Sequence, residues 1–249
     1  MKVLENKTAI VTGGGAGIGL AIARLFAQCG ARVLVTGRRQ EAIEAAAAAH
    51  PAITGFAADA GDPQAAEATV ARAVELSGRL DILVNNAGAG RPEALADITP
   101  DSLETAFRTN VFGPTLLARA AVPHLQATRG SILNLSSTLA RRPVAGFSAY
   151  AASKAALEHL TRVWALELAP FGIRVNAIAS GPVESDFLRD RMGFSDEEIA
   201  AIKAKEIEMI PLGRRGVPDD IARWALALIH PERTWVTGQV LGIDGGFSL

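Results

Sequence analysis

The sequence predicts an α/β fold in which helices cover both faces of a parallel sheet. Short β-branched apolar runs alternate with longer stretches of period near 3.6, six times over. Such alternation implies crossover connections, which make neighbouring strands parallel and lay a helix across the sheet. A glycine-rich turn joins the first apolar run to the first helical stretch, where doubly wound sheets place a ligand. At 249 residues, 49% of them hydrophobic, the chain can bury one large core, and no linker or solenoid-length repeat divides it.

The expected strands are Thr8–Val11, Arg32–Thr36, Ile53–Phe56, Ile82–Val84, Ser131–Leu135, Arg174–Ile178 and Gln239–Ile243. The expected helices are Ile18–Gln28, Gln40–Ala49, Pro63–Leu76, Pro100–Leu125, Tyr150–Leu168 and Pro218–Ile229. Residues Val183–Pro211 break the rhythm. They mix charges with Phe187, Leu188, Met192, Phe194 and Ile202 after the sixth strand, far beyond turn length. A helical lid or plain core packing both account for that stripe.

The formal net charge of −1 offers no basic excess for nucleic acid. Cys29 is the sole cysteine, which excludes an intrachain disulfide and fits a reducing compartment. The start, MKVLENKTAIV, is too short and polar for a signal peptide, and no run approaches the ~18 apolar residues of a membrane span. A cytoplasmic protein with no membrane partner is expected.

The turn reads TGGGAGIG from Thr12 to Gly19, with Gly13, Gly17 and Gly19 spaced G-x-x-x-G-x-G. Glycine gives the backbone its freedom, and a helix N-terminus with bare N–H groups attracts phosphate. At the end of the second strand, where a carboxylate would hold a ribose 2′-hydroxyl, the chain has Arg38 and Arg39. Guanidiniums suit a 2′-phosphate, so NADP(H) is expected in preference to NAD(H).

Tyr150 and Lys154 lie four apart in a helix and share one face. A nearby cation favours the phenolate, so the pair is suited to moving a proton on or off an alcohol oxygen. Ser136 and Ser137 end the fifth strand, where a hydroxyl could donate to a carbonyl oxygen or cap a turn. Asn110 precedes Pro114 by four residues; proline has no N–H, so the Asn110 carbonyl loses its helical donor.

Together these residues resemble a classical short-chain dehydrogenase/reductase from Lys7 to Gly246. The resemblance rests on TGGGAGIG, on Asn85-Asn86-Ala87-Gly88, on Asn110, Ser137, Tyr150 and Lys154, and on Asn176 through Gly181-Pro182-Val183. It also includes Val236-Thr237-Gly238-Gln239 and Asp244-Gly245-Gly246. It implies one domain, residues 1–249, with a seven-stranded doubly wound (Rossmann-type) parallel sheet and a substrate lid at about 183–211. It implies hydride transfer between a nicotinamide cofactor and a small-molecule carbonyl or alcohol.

Under that resemblance Tyr150 is the acid/base, Lys154 lowers its pKa and binds the nicotinamide ribose, Ser137 binds the substrate oxygen, and Asn110 holds a water. Gly13, Gly17, Ile18, Gly19, Asn85 and Gly88 line the cofactor, Asp59 and Ala60 flank the adenine, and Val183 and Ser185 meet the carboxamide. No metal site is implied, and a homotetramer joined through the helices Pro100–Leu125 and Tyr150–Leu168 is. Two positions depart from the pattern: Ser180 stands where proline is usual, and Ala60 where a larger apolar residue is common.

Two alternatives stay open: a 3-oxoacyl-[acyl-carrier-protein] reductase and a catalytically idle dinucleotide-binding regulator. For the first, Arg129 is the candidate carrier contact, although Phe171 stands where that branch often has a basic residue. Arg141 and Arg142 meet either an anionic substrate or solvent.

Overall fold

The computed structural model describes residues 2–190 and 192–249. Residue 191, inside the expected lid, lies outside the described residues. Seven strands form one parallel sheet: β1 (Thr8–Thr12), β2 (Arg32–Gly37), β3 (Ile53–Ala57), β4 (Ile82–Asn85), β5 (Ser131–Ser137), β6 (Arg174–Ser180) and β7 (Val240–Ile243). Their order is β3-β2-β1-β4-β5-β6-β7, and every pairing is parallel. The chain winds outward in both directions from the β1–β4 pair, so a crevice opens there at the carboxyl ends of the strands.

Side chains of period two divide the core between the two faces. Ala9 and Val11 of β1, Val33 and Val35 of β2, and Leu133 and Leu135 of β5 pack on one face. There they meet α1 (Gly17–Gln28), α2 (Gln40–Ala48) and α9 (Pro218–Ile229) through Phe26, Ile43 and Ile221. The intervening Ile10, Leu34 and Ile132 turn to the other face. They pack under α3 (Ala65–Glu75), α5 (Gly113–Thr128) and α6 (Ser148–Leu168) with Val70, Leu125, Leu157 and Trp164. Each such side chain, fully buried, contributes roughly 1.5–3 kcal/mol.

The expected single helix Pro100–Leu125 is two helices joined by a wider turn. α4 (Pro100–Phe107) starts on a Thr99–Ser102 capping box and gives way at Arg108–Phe112 to a π-helical turn, in which the Gly113 N–H reaches the Arg108 carbonyl. Pro114 supplies the reason, since it has no N–H to offer the Asn110 carbonyl. The turn is pressed against the start of the third crossover, just after β3. A Cβ on Gly113 would lie 1.9 Å from the Ala60 carbonyl oxygen.

After β6 the chain forms two further helices, α7 (Phe187–Asp190) and α8 (Asp196–Met209). α8 begins on a Ser195–Glu198 capping box. Among the described residues no helix is long and apolar enough to cross a membrane.

The Gly113 contact yields a stability prediction. Gly113→Ala must push the π-helical turn off Ala60 and should lose ~1–3 kcal/mol by denaturant unfolding. Gly242→Ala, in β7 with nothing within 4 Å of the new methyl, should stay within ~0.5 kcal/mol of the parent.

Candidate active site

A cleft of about 640 Å³ runs across the carboxyl ends of the strands. Its walls carry Gly13, Gly17, Ile18, Gly19, Arg38, Arg39, Asp59, Ala60 and Gly88 at one end. Ser137, Tyr150, Lys154, Val183 and Ser185 line the rest. Residues more than 170 apart in sequence are thus assembled in one crevice.

The glycine end fits a dinucleotide phosphate. α1 starts at Ala16 with no side-chain cap and no acidic residue in its first turn, so its first N–H groups point out bare. Gly17 takes left-handed backbone, φ 53°, and a Cβ there would meet only the Ser185 side chain, at 3.3 Å. The turn is braced from behind. Thr12 Oγ1 accepts the N–H groups of Asn86 and Ala87, each at 3.0 Å, and the Asn86 amide donates to the Thr12 carbonyl at 2.8 Å.

Asn85 is placed differently from expectation. It is buried at the end of β4, where its Nδ2 donates to Asn134 Oδ1 at 2.9 Å, and it does not line the cleft. Its neighbour Asn86 does. Alternation at the strand end explains the exchange, since consecutive side chains point to opposite sides.

Just after β2, Arg38 is exposed on the cleft wall, whereas Arg39 pairs with Asp190 of α7 at 2.8 Å. The two arginines are therefore not equivalent.

The Tyr150 end is built on α6. Tyr150 is 8% exposed and Lys154 3%, one turn apart. Lys154 Nζ donates to the Leu135 carbonyl at 2.8 Å and lies 5.9 Å from the Tyr150 ring centroid. Ser137, at the end of β5, accepts the Leu139 N–H at 3.2 Å. Asn110 is completely buried. Its Oδ1 accepts from the Ala89 N–H at 2.9 Å, and its Nδ2 donates to the Ala89 carbonyl at 2.7 Å and to Ser153 Oγ at 2.9 Å. Ser153 donates in turn to the Tyr150 carbonyl at 2.7 Å.

Burial dominates the electrostatics. It pushes the Tyr150 phenol up to about 12, against a smaller downward pull from Ser137. It pulls the Lys154 ammonium down to about 8. The expected lowering of the Tyr150 pKa by Lys154 is thus absent here, because desolvation drives both groups toward their neutral forms. A neutral phenol is a proton donor, which suits reduction of a carbonyl.

Several residues carry roles that the sequence left unread. Glu158, one turn after Lys154, is buried and accepts from Ser136 Oγ at 3.0 Å and from Arg141 Nε at 3.0 Å. Arg141 also donates to the Val240 carbonyl, and Arg142 donates to the Phe247 carbonyl at 2.7 Å while stacking 4.2 Å over that ring. Both guanidiniums are engaged by the protein, and neither lines the cleft. Arg129 caps α5 against Gly172, at the opposite end of β5 from Ser137. The six steps of β5 alone span about 20 Å, so Arg129 is not at the cleft of its own chain. Phe147, Phe247 and Arg215 also line the cleft.

Comparison with known proteins matches residues 13–248 to a family described as enoyl-(acyl carrier protein) reductase. An oxidoreductase of Mycobacterium tuberculosis, itself uncharacterised, is 40% identical over 98% of this chain and 93% of its own. The chain belongs to the short-chain dehydrogenase/reductase family. As a member of that family it is an oxidoreductase. The 3-oxoacyl-[acyl-carrier-protein] reductase of Thermotoga maritima is 35% identical over 99% of each chain. The crystal structure of the 3-ketoacyl-(acyl-carrier-protein) reductase of Brucella melitensis, complexed with NADH, superposes with TM-score 0.91 at 34% identity, covering 99% of this chain and 100% of that one.

The buried lysine leaves a signature in stability. Its folded value near 8 lies below the 10.5 of an ordinary lysine. The unfolded chain therefore binds more protons between those values, and stability rises with pH across that window. Below about 8 the folded state bears the full desolvation cost, and above 10.5 it bears none. Lys154→Met removes this term. The stability of the parent relative to the variant should climb by about 3 kcal/mol between pH 8 and 10.5, measured by denaturant unfolding.

Proposed function

We propose that this short-chain dehydrogenase/reductase reduces apolar carbonyl compounds with NADPH, with Tyr150 as the proton donor. The observation that carries this reading is the burial of Tyr150, Ser137 and Lys154 together in the wall of one cleft whose far end is the bare N-terminus of α1. When bound, the nicotinamide cofactor supplies the hydride. Ser137 orients the substrate oxygen, Tyr150 gives it a proton, and Lys154 binds the nicotinamide ribose. Asn110 keeps the Tyr150 helix in register with the Ala89 backbone. Gly13, Gly17, Ile18, Gly19 and Gly88 make room for the pyrophosphate and ribose, Asp59 and Ala60 flank the adenine, and Val183 and Ser185 meet the carboxamide.

The preference for NADP(H) over NAD(H) rests on Arg38, exposed on the cleft wall with no carboxylate at the end of β2. Segment 183–211 acts as a lid. Leu139, Val144, Phe147, Phe187, Met192 and Phe194 line the cleft beyond Tyr150, so the substrate has a substantial apolar part. The acyl-carrier reading draws on the Thermotoga relative, but Arg129 lies at the opposite end of the strands from its own cleft. The exposed Phe112 and Leu166, near the π-helical turn and on α6, are consistent with a homotetramer joined there. A cytoplasmic location completes the reading.

Turnover of NADPH with a panel of ketones, quinones and β-ketoacyl thioesters tests the activity. Tyr150→Phe should cut kcat by about 10²–10⁴-fold while cofactor binding persists; a rate equal to the parent would remove Tyr150 as the acid and favour an idle dinucleotide-binding regulator. Arg38→Ala should lower kcat/KM for NADPH about tenfold and leave NADH unchanged, since a charge-assisted contact to a phosphate is lost. A parent enzyme faster with NADH would overturn the preference. Size-exclusion chromatography at micromolar concentration should return the mass of four 26.0 kDa chains.

A further inference from the structure

α8 is held to the body in a way its sequence does not advertise. None of its 14 residues is fully buried. Its half-buried positions are Ile199, Ile202, Lys203 and Glu206, spaced three, four and seven apart on one face. Two half-buried isoleucines supply only a fraction of the ~1.5–3 kcal/mol that each would give when fully buried. The other two positions are charged, and they meet charges on the body.

Those charges are Glu184 and Arg215. Arg215, in the turn before α9, is 5% exposed. Its Nε lies 2.8 Å from Glu184 Oε1, its Nη1 meets Glu206 Oε2, and its Nη2 donates to the Val183 carbonyl at 2.8 Å. Lys203 pairs with the second oxygen of Glu184. The backbone fixes the base of the cluster. Val183 bridges to Gly216, the Glu184 N–H donates to the Gly216 carbonyl at 2.8 Å, and the Gly216 N–H donates to the Pro182 carbonyl at 2.9 Å. The turn holding Arg215 and the loop after β6 are therefore one unit, and α8 is clipped onto it by two cations and two carboxylates.

We propose that Arg215 is the positioning residue of the substrate lid, fixing α8 through Glu206 to the loop that carries Val183 and Glu184. Ile202 and Met209 of α8 line the cleft, so this clip sets the wall that an apolar substrate meets. Removing one partner of a buried pair leaves the other charge uncompensated, which makes the clip decisive where apolar burial is small. The consequence for substrate binding rests on the carbonyl-reductase reading; the clip itself does not.

Hydrogen exchange of the full chain, read by peptide mass spectrometry, tests it alongside ketone kinetics. Glu206→Gln keeps the shape of the side chain and spares the buried arginine, so it should fold. Exchange over residues 196–209 should rise about tenfold or more while β5 and β6 exchange as in the parent, and KM for an apolar ketone should rise about tenfold with kcat within about twofold. Arg215→Lys keeps the charge but loses the fork that reaches three acceptors, and should fall between the two. Unchanged exchange in α8, acceleration spread evenly over sheet and lid, or an unchanged KM beside local acceleration would each overturn the proposal. Local acceleration in a protein that turns over no ketone would uphold the clip and sink the reductase reading instead.

Discussion

The site depends on one buried amide. Asn110 bonds both backbone groups of Ala89 and the hydroxyl of Ser153, which holds the Tyr150 carbonyl. Three segments that are distant in sequence are locked by these contacts: the π-helical turn, the loop after β4 and the first turn of α6. A carboxamide can serve all three because it both donates and accepts, and in a fully buried place each missing bond would cost the desolvation of an orphaned group. The cleft wall and the phenol are thereby held in one frame before anything binds.

That frame has an electrostatic cost. Burying a lysine and a tyrosine side by side favours the uncharged form of each. The lysine is anchored by the Leu135 carbonyl, a neutral acceptor that steadies the ammonium without cancelling its charge. One turn further along α6, Glu158 is committed to Ser136 and Arg141. The lysine is left close to neutral pH, whereas the phenol stays protonated well above it.

Much of this was legible in the chain. The seven strands follow from short β-branched apolar runs alternating with helical stretches, and the order of the catalytic candidates along them follows from the resemblance. The capping boxes at Thr99 and Ser195 are the kind of short-range signal that fixes a helix start. The π-helical turn was half visible: Pro114 announces a fault in the helix, but whether the chain kinks or widens is decided by what presses on it. Asn85 and Asn86 differ by one step of a strand end, and a one-residue error there exchanges a cleft wall for a sheet interior. Arg39 and Asp190 are 151 residues apart, and nothing local links them. Arg215 sits in a turn, where charge has no period to betray burial.

The tight approach of Gly113 to Ala60 ties the two ends of the crevice together. Ala60 lines the crevice, and Gly113 follows the buried amide of Asn110 by three residues. With only a hydrogen atom for clearance, the loop at one end and the helix at the other act as meshed gears. A change in amino acid that shifts Ala60 also shifts the turn that carries Asn110, without any side chain in between to absorb it.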